Sequence, residues 1–428
     1  NDKENFVKYS TALRDTARRR IERLGSADLV VGIPCYNNDE TIHHVVNAIE
    51  TGLSQSFSKM RSIAIVSDGG SVDDSRDIAN AVEVTPWVER MVMIYRGIPG
   101  KGSAVRAIFE AAEIVRAKAI LIFDADLRSI SPQWVKAMAE PVLDDGYDFV
   151  APYYKRYKFD GTITNHIVYN LTRALYGYRI RQPIGGDFAC SLSLVKKYLD
   201  HEVWETDVGK FGIDIWMTTM AMVESCKVCQ SHLGVKIHDA RDPAEALGPM
   251  FRQVVTTLFL LMEQNYDIWR EVKQSRSVPI IGTEPNVEPE PFEINAGKLL
   301  EDFQLGISHF GPLWESIFGP EKFSELKRLA SVKDATEVHF PSDFWIRLLY
   351  DCAITFHRWT KDKYKLVQMV TPIFFAQVAS FVNEARELSN AEADQLIEKQ
   401  AQRTEELKPY LIEQWGKSPV QQRTAAGT

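Results

Sequence analysis

Leu13, Ala17, Ile21 and Leu24 recur at helical spacing among charged positions over 11–24. This pattern predicts an amphipathic helix that packs on its own domain or on a neighbouring subunit. From Asp28 onward the pattern changes to short apolar runs rich in Ile and Val: LVVGIP (29–34), SIAIVSD (62–68), RMVMIYR (90–96) and KAILIFDAD (118–126). Each run predicts a buried strand, and helical patterns over 40–53, 73–82, 102–116 and 132–143 fall between them. Strand and helix in alternation predict an α/β fold, a mostly parallel sheet with helices on both faces. In such a sheet the binding crevice lies at the carboxyl ends of the strands. Three of those ends gather polar residues here, at Pro34 to Glu40, Ser67 to Ser71 and Asp124-Ala-Asp126.

Beyond the α/β region, 275–296 is rich in Pro and Glu and has no periodicity, which predicts an extended linker or surface arm. The stretch 298–385 is helical in pattern and carries many aromatics, Phe303, Trp314, Trp345 and Phe374 among them. In that setting they read as a helical core rather than a base-stacking platform. The chain from about Asn390 is polar and suits one more helix. The expected organisation is an N-terminal helix over 1–27, an α/β domain over 28–274, a linker over 275–297 and a helical domain over 298–428.

Composition narrows the function classes. With 45% hydrophobic and 25% charged residues the chain is neither disordered nor fibrous, and a formal net charge of -8 argues against a nucleic-acid partner. The apolar run Val254 to Met262 is interrupted by Thr256 and Thr257 and is too short to span a bilayer, so no transmembrane segment is expected. The start of the sequence has no signal-peptide core. An odd number of cysteines, 5, suits a reducing compartment, and a cytoplasmic location is expected. Cys226-Lys-Val-Cys229 has no second ligand pair nearby for zinc.

The chemistry concentrates in a few motifs. Asp124 and Asp126 share a face if the strand runs to its end, and paired carboxylates suit a hard divalent cation that also binds phosphate oxygens. The alternative is a plain turn at a strand end. Asp68-Gly-Gly-Ser71 can meet a nucleoside or simply cap the next helix. Lys101 lies between Gly100 and Gly102 at a helix start, which suits an anionic diphosphate, although the spacing is not that of a P-loop. Gln182-Pro-Ile-Gly-Gly-Asp187 is a loop ending in a carboxylate, and Asp214 sits in the first turn of an apolar helix, where it can also serve as a dipole partner. His238 follows a β-like segment and could complete an Asp/His metal site or be structural.

Taken in order, these motifs resemble the nucleotide-sugar glycosyltransferases of GT-A fold. The resemblance is to the retaining group that makes glucosylglycerate, glucosyl-3-phosphoglycerate and mannosylglycerate. It runs from about Leu29 to Met262 and implies a Rossmann-like nucleotide-sugar-binding sheet, followed by a mainly helical C-terminal domain. By that resemblance Asp126 and His238 ligate the metal (Mg²⁺, Mn²⁺ or Co²⁺) and Asp124 lies near the ribose or metal. Pro34, Glu40, Asp68 and Lys101 hold the nucleotide and Arg241 its diphosphate. Gly185 and Gly186 line the pocket where donor sugar meets acceptor, with Asp187 and Asp214 as the catalytic carboxylates. Arg156, Asp160 and Thr164 match the acceptor site in spacing.

The implied donor is GDP- or UDP-glucose, or GDP-mannose. The implied acceptor is the small molecule glycerate or 3-phosphoglycerate, and a homodimer is expected. Thr162 stands where a phosphoglycerate-using relative is expected to carry Arg. Two alternatives remain open from the residues, an inverting family-2-like transferase with a lipid or polysaccharide acceptor and a sugar-nucleotide sensor without catalysis; a sugar nucleotidyltransferase would carry a glycine-rich first loop, and the 34–40 loop has no glycine.

Overall fold

The computed structural model describes residues 9–417 apart from 84, 86, 238–242, 285 and 286. Among the described residues ten strands form: β1 (Leu29–Cys35), β2 (Ser62–Asp68), β3 (Val88–Ile94), β4 (Ala119–Ile122), β5 (Phe149–Lys155), β6 (Tyr178–Arg179), β7 (Phe188–Ser191), β8 (Val228–Val235), β9 (Arg276–Ser277) and β10 (Ile280–Ile281). Eight of them make one sheet in the order β10-β8-β5-β7-β4-β1-β2-β3, while β6 pairs with β9. Only β7 runs antiparallel to its neighbours, β4 and β5. The strands predicted at 29–34 and 62–68 form in place, paired in parallel from Leu29 with Ser62 to Cys35 with Asp68. The strand predicted over 118–126 is shorter and stops at Ile122.

Alternation along each strand divides the core. Val31, Ile33, Val66 and Leu121 point to a layer made by the helices Ile42–Ser56 and Pro132–Leu143. Val30, Ile65 and Ile120 point to the opposite layer, where helices Lys101–Ile114, Ile213–Val223 and Pro243–Gln264 pack. That second layer continues without a break into the C-terminal helices Ala296–Ala330, Ser342–Arg358, Lys363–Ala385 and Asn390–Trp415. Phe251 meets Phe374 with ring centroids 4.9 Å apart, and Phe259 meets Phe356 at 5.3 Å. Each such ring, fully buried, contributes roughly 1.5–3 kcal/mol by area alone. Two sequence features explain this layout. Helix Asn390–Trp415 starts at a capping box made by Ser389 and Glu392, and the long helix Ala296–Ala330 breaks at Gly319, which precedes Pro320.

The 275–297 segment, expected as a linker, contributes β9 and β10, and β10 extends the main sheet beside β8. Extended backbone laid along an open sheet edge satisfies its own amides and those of the edge. The N-terminal helix Asp15–Leu24 buries Ala17 and Ile21 on its own α/β domain, and Thr11 and the Ala12 amide bond to Glu110. Among the described residues one helix, Lys363–Ala385, is long and apolar enough to cross a membrane. Most of it is buried among the other helices, as the core of a helical layer requires.

Candidate active site

The carboxyl ends of β1, β2 and β4 lie side by side, and the loops leaving them interlock. The loop after β1 hangs on the loop after β2: the Asn37 amide donates to Ser71 Oγ at 2.9 Å and the Asn38 amide to Ser75 Oγ at 2.7 Å. Thr41 Oγ1 donates to the Ala125 carbonyl at 2.8 Å, tying the same loop to Asp124-Ala-Asp126. A cavity of about 470 Å³ opens beside that tie, lined by Glu40, Thr41, His44, Leu127 and Arg128. Pro34 is the next-to-last residue of β1, just before this loop begins.

Asp68 is fully buried. Its Oδ1 accepts from the amides of Gly70 (2.8 Å) and Ser71 (2.9 Å), and its Oδ2 accepts from Ser71 Oγ. Both oxygens close its own turn, so the capped-turn alternative describes this carboxylate, and a nucleoside would meet the turn rather than the acid.

Because β4 stops at Ile122, Asp124 and Asp126 stand on a turn and not on a strand. The shared-face expectation from strand alternation does not apply there. Asp124 turns inward, where two lysines take it from either side: Lys101 Nζ lies 2.7 Å from its Oδ1 and Lys236 Nζ 3.0 Å from its Oδ2. Lys101 opens the helix Lys101–Ile114, and it also reaches Asp214 Oδ1 at 3.1 Å and the Gly186 carbonyl at 3.0 Å. Its place is set by Gly102, where a Cβ would stand 1.8 Å from the Val208 carbonyl. Only glycine lets this helix start lie against the 207–210 turn.

Lys236 donates to Asp187 Oδ2 at 3.0 Å and to the Gly185 carbonyl at 2.8 Å. Asp187 is fully buried, with Oδ1 accepting from the Asp124 amide at 2.8 Å and Oδ2 also accepting from Tyr154 Oη. Both oxygens are thus engaged within the protein, and Asp187 holds the Asp124 backbone in place. Gly186, at φ +90°, passes so close that a Cβ would lie 2.1 Å from Asp124 Oδ2. The 182–187 loop is thus brought against Asp124.

Electrostatics follow from this packing. Burial would raise the Asp124 pKa, but Lys101 and then Lys236 outweigh it and hold the carboxyl well below the usual range. Burial works against charge on both lysines, yet their carboxylate partners raise both pKa values: Asp124 and Asp214 for Lys101, Asp187 and Asp124 for Lys236. Burial raises the Asp214 carboxyl, with Lys101 opposing. The Tyr154 phenol is pushed well up by burial and by Asp187, so it stays a donor. Three carboxylates share two ammonium groups in this cluster, with Asp126 half-buried next to it. Among the described residues no three His, Cys, Asp or Glu side chains converge as metal ligands. His238 and Arg241 lie outside the described residues.

Residues 30–204 match the family described as Glycosyl transferase family 2. That span resembles a glycosyltransferase domain. In the structure this span holds most of the mixed sheet and the helices packed on it, and the helical C-terminal region follows it in the chain. Among solved structures the chain is similar to glucosyl-3-phosphoglycerate synthase from Mycobacterium tuberculosis in complex with Mn²⁺, uridine diphosphate and glucosyl-3-phosphoglycerate. Identity is 22% and the TM-score 0.43, over 60% of this chain and 86% of that one. The complex of that synthase with Mn²⁺, UDP-glucose and glycerol 3-phosphate matches at 22% identity and TM-score 0.42, with the same coverage. A mycobacterial protein matches at 24% and 0.43, over 56% of this chain and 77% of that one. No curated protein sequence matches the chain.

The residues expected on the acceptor side, Arg156, Asp160 and Thr164, follow the end of β5. Arg156 Nη1 is 3.0 Å from Asp160 Oδ2, and its guanidinium lies 5.5 Å from the centre of the Tyr154 ring. The opposite neighbour of that ring is Lys236, at 5.3 Å, so Tyr154 spans from the lysine–carboxylate cluster to Arg156. Arg156 Nε is buried without a hydrogen-bond partner in the protein. Thr164 is buried at the start of a π-helical turn, Thr164–Val168. The cations around it are engaged elsewhere. Lys158 Nζ donates to the carbonyls of Arg386 (2.7 Å) and Leu388 (2.8 Å), and Lys155 pairs with Glu288. His166 is buried against Gln400 and Phe381, and burial pushes its imidazole down to about 4.

Two functional candidates escaped the sequence reading. Lys236 had one signal, its place two residues before His238 at the end of an apolar strand. Tyr154 had none, because a tyrosine in a buried strand looks like core.

Proposed function

We propose that this glycosyltransferase moves glucose, or mannose, from a nucleoside-diphosphate sugar to the 2-hydroxyl of D-glycerate, with the anomeric configuration retained. The observation that carries this reading is Lys101 Nζ at 2.7 Å from Asp124 and 3.1 Å from Asp214, at the strand ends of a glycosyltransferase domain. A lysine at a helix start, partly open to the crevice, is placed to exchange its carboxylates for a diphosphate. Glu40 and the Pro34 to Asp68 loops would hold the nucleoside, and Arg241 would add a second charge to the diphosphate. A divalent cation (Mg²⁺, Mn²⁺ or Co²⁺) would be held by Asp126 and His238 and would supply a Lewis acid for the diphosphate oxygens.

Charge sets the roles of the remaining residues. As the sugar–phosphate bond weakens, negative charge grows on the leaving diphosphate, where the Lys101 ammonium meets it. Positive charge grows on the sugar, and Asp214 is the carboxylate of the cluster placed to answer it. Arg156, with an unpartnered buried nitrogen, suits the planar carboxylate of glycerate, and Thr164 suits a neighbouring oxygen. Attack by the acceptor hydroxyl from the face that the diphosphate leaves accounts for retention without a covalent sugar–enzyme bond.

The acceptor preference rests on the cations that are taken. Lys158, Lys155 and His166 each have a partner or a buried neutral ring, and Thr162 is buried where an Arg would be needed. A phosphate dianion placed there would lose its water and gain no guanidinium. The testing experiment combines UDP-glucose, GDP-glucose or GDP-mannose with each acceptor and Mn²⁺, and reads the product by mass and proton NMR. An α-linked hexosylglycerate is expected. A β-linked product would restore the inverting alternative, and no transfer from any donor would leave the sensor.

A further inference from the structure

The two lysines of the cluster differ in what they can give up. Lys101 retains 12% of its side-chain exposure and Asp124 23%, so both can reach an incoming ligand. Lys236 retains 5% and its partner Asp187 none. Yet the lysines grip the same loop through consecutive carbonyls, Lys236 on Gly185 at 2.8 Å and Lys101 on Gly186 at 3.0 Å. When an anionic diphosphate draws Lys101 away, the Gly186 carbonyl and Asp214 lose that ammonium. What still ties the 182–187 loop to Asp124 is then the closed set of Lys236, Asp187 and Tyr154.

We propose that Lys236 is the positioning residue of the transfer centre. It holds the Gly185–Asp187 loop and the inner oxygen of Asp124 in place while Lys101 changes partners. It acts through Asp124, Asp187 and the Gly185 carbonyl and touches neither nucleotide nor diphosphate. Its reach extends to the acceptor side, because the Tyr154 ring lies 5.3 Å from Lys236 and 5.5 Å from Arg156. Loss of Lys236 therefore separates two properties that loss of Lys101 removes together: nucleotide binding and sugar transfer. The inference rests on the crevice being a sugar-nucleotide site. If wild-type protein transfers no sugar, that reading fails; if it does, the variants below decide on Lys236.

The experiment uses the full chain with Lys236→Met, Lys236→Arg and Lys101→Met. Calorimetry measures UDP and GDP binding with Mn²⁺, and initial rates give kcat and KM for donor and acceptor. For Lys236→Met, kcat is expected to fall about 100-fold or more, as for loss of a group that orients a site. Nucleotide affinity is expected to stay within about threefold, with donor KM following it. Lys236→Arg should recover part of kcat. Lys101→Met should lose nucleotide affinity and kcat together.

Lys236→Met leaves Asp187 buried without a counter-charge and can fail to fold. The double variant Lys236→Met/Asp187→Asn removes both charges and keeps the shape. It should fold and bind nucleotide while its transfer rate stays as low. Transfer by Lys236→Met or the double variant within about threefold of wild type overturns the proposal. So does a loss of nucleotide affinity in the double variant equal to its loss of kcat, which is the mark of a merely structural lysine.

Discussion

The crevice around Asp124 and the segment 155–166 both carry several cations, but the two regions use them in opposite ways. In the crevice, ammonium groups face carboxylates at 2.7–3.1 Å, and one of them, Lys101, is open enough to trade a carboxylate for a phosphate. In the segment 155–166 Lys158 is bound to backbone carbonyls of Arg386 and Leu388, just past the helix Lys363–Ala385, and His166 is packed neutral against Asn390–Trp415. On the proposed reading the first region keeps its charge for a ligand. The second spends it on joining the α/β domain to the C-terminal helices, and on the proposed reading Arg156 remains for the acceptor. The number of basic residues near a site therefore says little about which anion it takes. Their existing partners decide.

The largest expected effect that could break this contrast is in the crevice. Asp126→Ala and Lys101→Met should each lower kcat/KM by on the order of 10²-fold or more, as loss of a metal ligand or a diphosphate partner implies. Lys158→Met should instead lower thermal stability and change kcat/KM by no more than about threefold, since it frees two helix-end carbonyls worth about 1 kcal/mol each. Equal kinetic losses in both regions, measured by initial rates, would erase the distinction.

Next in size is Gly186→Ala. A methyl group here meets Asp124 Oδ2, on a backbone at φ +90° that other residues rarely adopt. Strain of about 1–3 kcal/mol should appear as a lower Tm, with at least a tenfold loss of kcat. Unchanged kcat would show that the loop need not touch Asp124.

A smaller effect sharpens the acceptor-side half. His166 is neutral in the fold, with its pKa near 4 against an ordinary 6.5. Its contribution is complete above pH 6.5 and is lost as pH falls through 4, up to about 3 kcal/mol. Urea unfolding at pH 7.5 and pH 5 should show this fall in wild type and a flatter response in His166→Gln.

The smallest effect lies outside both regions. Glu50 is buried beside Arg90, and burial pushes its carboxyl up to about 6 while Arg90 opposes. A raised pKa on an acid has the reverse sign. Stability is complete below about 4.5 and is lost as pH rises through 6, by up to about 2 kcal/mol. Glu50→Gln should remove that slope in the same urea series, and an unchanged slope would place its origin elsewhere.

How legible all this was in the sequence depended on what kind of signal each part carries. Strands and helices from Leu29 to Leu143 fell where apolar runs and helical periods placed them, apart from the early end of β4 at Ile122, because both faces of the sheet are buried. Lys101 and Asp124 stood out because a lysine between glycines and a charged end to an apolar run are unusual. The partner of Asp187 was not legible, since a lysine 49 residues later has no local pattern that ties it to that loop. Asp68 misled for the same reason: whether a carboxylate faces a ligand or its own turn is settled by three hydrogen bonds, not by residue type. The engagement of Lys158 depends on carbonyls more than 200 positions away.

The most direct measurement is a competition. Wild-type protein receives one sugar nucleotide, Mn²⁺ and equal D-glycerate and 3-phospho-D-glycerate, and mass spectrometry counts the two hexosyl products. With Arg156 as the remaining acceptor cation, hexosylglycerate should exceed its phosphorylated counterpart at least tenfold, roughly 1.4 kcal/mol at the transition state. Thr162→Arg should narrow that ratio. A tenfold excess of the phosphorylated product from wild type would contradict the reading and show that Lys155 or Lys158 leaves its partner in the fold to bind phosphate.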